Sequence, residues 1–117
     1  TNTPLQALSL LNEVTFVEAA RGLAQQMMQH GGTTPEQRIA YGYQRATGRT
    51  IEPAALKQLV AGVQKRITEF KSKPADATAL ITQGATKPDP GLNPAELASY
   101  TTTASVLLNL DRVVTRD

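Results

Sequence analysis

Apolar residues recur along this chain at steps of three and four, and no strand-like alternation of useful length appears. That spacing predicts amphipathic helices. Leu5, Leu8 and Leu11 open the pattern behind Thr3-Pro4, with Pro4 suited to a first helical position. Asn12 and Glu13 interrupt the run, and Thr15-Phe16-Val17-Glu18 has the form of a capping box, Thr15 as N-cap and Glu18 at N3. A short helix over 4–12, a kink, and a longer helix over 16–30 are expected. In the second of these Phe16, Ala20, Leu23 and Met27 step by 4, 3 and 4, and Gly31-Gly32 ends it. Thr34-Pro35-Glu36-Gln37 starts the next unit, whose stripe is Ile39, Tyr43 and Ala46, with Gly42 allowing a close helix approach, and Gly48 stops it. From Glu52-Pro53 onward Leu56, Val60, Val63, Ile67 and Phe70 give the clearest amphipathic helix, supported by Lys65–Glu69 and Glu69–Lys73 at i,i+4. Lys73-Pro74 breaks it.

A short helix over 75–83 follows, carrying Ala79 and Leu80 inward. The stretch from Gly84 to Pro94 holds Pro88, Pro90 and Gly91 and must be loop. Asn93-Pro94-Ala95-Glu96 repeats the capping device before Leu97, Thr101, Ala104 and Leu108, with Tyr100 and Leu107 flanking. Three consecutive threonines, Thr101 to Thr103, are poor filling for an exposed helix, so this one is expected to be packed against neighbours. The sum is an all-α fold of about five helices, one compact orthogonal or bundle-like domain over residues 1–117. The chain opens on Thr1 without an initiator Met, and is expected to be a piece of a longer polypeptide.

Composition narrows the chemistry. Aromatics are 4% of residues, so the core is built from small and branched aliphatics rather than an aromatic cage. With no cysteine and a single histidine, disulfides, thiolate zinc, a cysteine nucleophile and covalent haem are excluded within these residues. Lys and Arg number 12 against 10 Asp and Glu, so the pI of 9.2 rests on a two-charge excess. The densest basic run, Lys65, Arg66, Lys71 and Lys73, contains Glu69, and nucleic-acid binding is not expected. No apolar stretch reaches the ~18–20 residues of a membrane span.

The candidate chemical groups each have a structural use. His30 sits beside Gly31-Gly32, where an imidazole can meet exposed carbonyls, and no orienting carboxylate or companion ligand stands at a recognisable spacing. Met27 and Met28 fit core filling. Arg45 and Arg49 lie four apart, with Tyr41 four before Arg45; such a pair could clamp a carboxylate, phosphate or sulfate, or pair with carboxylates of the next helix. They are the candidate ligand-binding residues. Arg21 has Glu18 three residues before it. Of the carboxylates Glu13, Glu18, Asp89 and Asp111, Glu18 is better used as a cap, and Asp89 lies in the proline-rich loop. No catalytic residue and no metal site is assigned. Asn12 and Asn109 interrupt leucine-rich stretches, and as buried amides would fasten the first kink and the end of the last helix.

Three stretches carry a family resemblance. Asn2-Thr3-Pro4-Leu5-Gln6-Ala7-Leu8, Leu10-Leu11-Asn12 and Thr15 to Arg21 resemble the opening of the C-terminal portion of a planctomycete exported domain of unknown function, number 1553. Arg38-Ile39-Ala40 through Thr47-Gly48-Arg49 to Pro53 and Leu56 is similar to its middle, and Asp89-Pro90 through Leu107-Leu108-Asn109-Leu110-Asp111 to its closing helix. Asn12, Arg21, Arg49 and Asn109 fall on motif positions that carry no assigned role. Val14 stands where a proline is common, and Glu52 where a Thr or Ser N-cap is usual. The resemblance implies an exported or periplasmic protein, a remainder of the same polypeptide as partner, and a cytochrome-c-like haem domain elsewhere in the parent, with no cofactor in this chain. The function expected is a non-catalytic helical packing or interaction module; the alternative is one wall of the site of an extracellular enzyme acting on a glycan or sulfated polymer.

Overall fold

Four of the five helices begin on a proline: α2 (Pro35–Thr47), α3 (Pro53–Ser72), α4 (Pro74–Ile81) and α5 (Pro94–Thr115); only α1 (Asn2–His30) does not. Proline has the helical φ in advance and lacks an N–H that the first turn could not satisfy anyway. The computed structural model describes the backbone of residues 2–115 and the side chains of residues 14–110. The result is all-α, and among the described residues no strand occurs.

The caps behave as the sequence indicates, with one exception. At α2 the Gln37 N–H donates to Thr34 Oγ1 at 3.1 Å, while Gln37 Oε1 accepts from the Thr34 N–H at 3.3 Å. Gly48 closes α2 at φ +74°, a left-handed conformation that costs glycine nothing. Asn93 caps α5 by accepting from the Glu96 N–H at 3.0 Å. Glu52, standing in the N-cap position of α3, makes no side-chain cap.

The exception is Thr15-Glu18. Helix α1 runs unbroken for 29 residues, about 43 Å at ~1.5 Å per residue, so Thr15 is not an N-cap and the two expected helices are one. No Gly or Pro lies between Asn12 and Glu18, and a mid-helix threonine costs only about 0.6 kcal/mol against alanine. Glu18 is thereby freed for a contact described below. The Leu5, Leu8 and Leu11 stripe and the Asn12 amide lie outside the described residues.

Helix α5 is the centre. It packs against each of the other four helices, and Leu97, Ala98, Tyr100, Thr103, Ala104 and Leu107 are all buried. Over the buried part of the helix there is no polar face to show, so its serines and threonines bond to their own backbone. Ser99 donates to Ala95 O at 2.7 Å and Thr103 to Ser99 O at 3.3 Å. Thr101 Oγ1 alone is buried with no partner among the described residues.

Around α5, α1 contributes Ala20, Ala24, Met27 and Met28, α2 Ile39, and α3 Val60 and Val63. Both methionines are core filling. Gly42 of α2 lies directly on Met27: a Cβ there would stand 2.6 Å from its sulfur. Helix α4 packs Leu80 against the core as expected but not Ala79. Ala77 and Ile81 are buried, whereas Ala79 is exposed and Leu80 half-buried, because the helix starts at Pro74 and its inner face is set by the i,i+4 pair 77 and 81. The expected Lys65–Glu69 and Glu69–Lys73 pairs do not close; the ion pair found among the described residues joins Arg38 and Glu96 at 3.6 Å.

Candidate functional site

The residues connecting α4 to α5 lie along α1, and a polar stripe of that helix holds them there. Glu18, Arg21, Gln25 and Gln29 step by 3, 4 and 4, which puts them on one face. Each reaches the same connection. Arg21 is 2% exposed, and its guanidinium donates to Ile81 O at 2.7 Å, Gln83 O at 2.8 Å and Thr86 O at 2.7 Å, and to the Thr86 hydroxyl. Ile81 is the last residue of α4, so Arg21 caps carbonyls that the helix end leaves free and sits at the negative end of its dipole. Glu18 Oε2 accepts from the Thr86 N–H at 3.0 Å and the Thr86 hydroxyl at 3.1 Å. These hydrogen bonds, with the Arg21 charge as a smaller aid, hold the Glu18 carboxyl below its ordinary pKa. Gln25 Oε1 accepts from the Asp89 N–H at 3.0 Å, and Gln29 Nε2 donates to Asp89 Oδ2 at 2.6 Å.

Gly84 makes the approach possible. It takes φ +95°, and a Cβ there would lie 2.2 Å from the Glu18 side chain. A buried charge served by neutral acceptors at these distances is a structural clamp: both terminal nitrogens of the guanidinium are committed to the connection, and they hold backbone in place.

A second cluster joins three helices. The Arg38 Nε–H donates to Gly32 O at 3.1 Å just past the end of α1. Its guanidinium lies 5.5 Å from the centroid of the Tyr100 ring and pairs with Glu96 in the first turn of α5. The end of α1 and the start of α5 are thus side by side, and the two helices run antiparallel. Burial raises the Tyr100 phenol above its ordinary pKa, with Arg38 working against that shift.

The candidate ligand residues are placed elsewhere. Arg45 is exposed and lies 5.6 Å over the Tyr41 ring, and Arg49 is exposed beyond the α2 cap. Neither pairs with a carboxylate of α3 within 4 Å. His30 and Asn109 are exposed, so Asn109 is not the buried amide expected at the end of α5. The helix turns it outward because its neighbours Leu107 and Leu108 take the inner positions. Two open grooves flank Phe70. One of about 390 Å³ is lined by Arg66, Lys73, Glu69 and Asp76 among others, two cations against two anions. The other, about 210 Å³, lies between Pro74, Ala77 and Pro94. Neither includes Arg45 or Arg49.

Among the described residues no three His, Cys, Asp or Glu side chains are grouped to hold a metal ion, and no helix is long and apolar enough to cross a membrane. The chain has no thiol to tether haem covalently, and its single imidazole, His30, is exposed. The sequence shows Arg21 with Glu18 three residues before it, but not that Gln25 and Gln29 join them on one stripe. Their shared 3-4-4 step was the available sign. Residues 1–63 match the family described as protein of unknown function (DUF1553). No curated protein and no solved structure matches the chain.

Proposed function

The chain belongs to the DUF1553 family, and from that premise we propose that it is a non-catalytic helical packing module of a larger exported or periplasmic protein, its partner being the remainder of its own polypeptide. The observation that carries this reading is the placement of the exposed large hydrophobics. Val14 (50% exposed), Val106 (36%) and Leu110 (40%) all belong to the antiparallel pair α1 and α5. Val106 and Leu110 stand four apart on one face of the helix that organises the whole core. An apolar stripe there suits a surface that continues into further protein. The Arg21 clamp supports the same reading, since the one buried charge among the described residues serves the backbone. Any haem of the parent would belong to a separate domain and meet this one only by docking.

The test is Val106→Asp with Leu110→Asp in the parent protein and in the isolated chain. Exposed positions tolerate charge, so the isolated chain keeps its Tm within about 2 °C. The parent loses Tm or gains proteolytic sensitivity between this module and the rest. Equal, negligible effects in both would defeat the proposal.

A further inference from the structure

The larger groove beside Phe70 is built by the end of α3 and the start of α4. Arg66, Glu69, Phe70 and Lys73 step by 3, 1 and 3, which puts them on one face at the close of α3, and Asp76 follows in the first turn of α4. With Thr102 of α5 they line a space of about 390 Å³. Phe70 packs against the core yet stays half-buried, and its ring borders both grooves.

Charge alternates along this groove. From α3 into α4 the order is cation, anion, ring, cation, anion. Positions 66 and 76 are equally far from position 71, as are positions 69 and 73, and each of these couples joins a cation to an anion. Lys71 itself borders the smaller groove and not this one. Turned through half a rotation, the series is its own complement: Arg66 stands opposite Asp76, and Glu69 opposite Lys73. Within one chain the four charges are unpaired. None makes an ion pair among the described residues, and Glu69 and Lys73, though four apart, are separated because Lys73 leaves the helix at φ −133°. An anionic polymer or lipid surface gains nothing from four charges that sum to zero. A two-fold interface, by contrast, requires a self-complementary patch, in which residue i meets j and j meets i.

We infer that the Phe70 groove is a self-association surface whose occupant is the same groove of a second copy of this chain, aligned antiparallel. Two-fold pairing sets the two Phe70 rings near the axis. Arg66 of each copy then meets Asp76 of the other, and Glu69 meets Lys73, so that ion pairs border an aromatic centre, as protein interfaces favour. Such pairs at a solvent-exposed rim fix register and partner more than they add affinity, and the association is accordingly weak and salt-dependent. It goes beyond the packing proposed for Val106 and Leu110, and does not depend on it.

Sedimentation equilibrium of the chain at low salt tests this. From about 10 µM to about 1 mM the average mass is expected to rise from 12.5 kDa toward twice that value, and the rise to disappear in about 0.5 M salt. Arg66→Glu with Lys73→Glu makes the groove wholly negative, and Glu69→Lys with Asp76→Lys makes it wholly positive. Either variant alone is expected to associate at least about tenfold more weakly than the unaltered chain. Mixed in equal amounts, the two restore association to at least the original level. Lys57→Glu with Lys87→Glu makes the same change in net charge as the negative variant, at exposed sites off the groove, and leaves the mass curve as it was. A chain that stays at 12.5 kDa throughout overturns the inference. So does association that both groove variants retain, or a mixture that associates no better than either variant alone. Val106 and Leu110 are unaltered in every variant, so the packing of the module into its parent is judged separately.

Discussion

Arg21→Met removes the clamp and keeps most of the stem's volume. Ile81 O is then left buried without a donor, which costs about 1–3 kcal/mol. The Gln83 and Thr86 carbonyls are part-buried, so water replaces the guanidinium at a net loss of about 1 kcal/mol each. Part of this is offset because methionine needs no desolvation of a charge at a site 2% exposed. The expected net loss is about 2–4 kcal/mol, which at a urea m-value near 2 kcal/mol/M lowers the midpoint by about 1–2 M. Urea unfolding followed by far-UV circular dichroism reads it. Arg45→Met is the matched control: that side chain is exposed and, among the described residues, has the Tyr41 ring as its partner, so it costs less than about 1 kcal/mol. A midpoint shift below about 0.3 M for Arg21→Met, or one no larger than the control's, would refute the clamp.

Three further outcomes follow from single contacts. Thr101→Val replaces the unpartnered buried hydroxyl with a methyl of like shape, and is expected to stabilise by about 1 kcal/mol, a rise of about 3–5 °C in Tm by scanning calorimetry. Thr34→Ala breaks the capping box of α2 and lowers stability by about 1 kcal/mol in the same urea assay. Gly84→Ala places a methyl on Glu18 at a backbone φ of +95°; the loss is about 1–3 kcal/mol, and amide exchange at Thr86 accelerates because Glu18 can no longer reach the Thr86 N–H.

The helices were legible because their signs are local. Thr34-Pro35-Glu36-Gln37 and Asn93-Pro94-Ala95-Glu96 place donor, acceptor and proline within four residues; the Thr34 box closes in both directions, and the Asn93 side chain caps α5 while the Glu96 carboxylate turns to Arg38. Local signs also misled. Thr15-Phe16-Val17-Glu18 has the same form, yet α1 continues through it because no Gly or Pro breaks the helix there, and Glu18 bonds Thr86, 68 residues on, instead of capping. In α4 the inward position of Leu80 is legible, but Ala77 and Ile81 are buried in place of Ala79, because eight residues give barely two turns of periodicity. Helix α5 was expected to be packed, but a stripe of Leu97, Thr101, Ala104 and Leu108 understates a helix whose Ser99, Tyr100 and Thr103 are buried as well. The Arg21 clamp was out of reach for a different reason. Its partners are mostly backbone carbonyls, and a carbonyl leaves no mark in the identity of its residue.

The packing of this module into its parent is tested most directly by thiol labelling, since the chain has no cysteine of its own. Val106→Cys and Leu110→Cys report the α5 stripe, and Lys57→Cys, at an exposed site on α3, serves as reference. All three are expected to label rapidly in the isolated chain. In the parent protein positions 106 and 110 are expected to slow by about tenfold or more, with position 57 unchanged. Labelling at 106 and 110 that is as fast in the parent as in the isolated chain would contradict the account.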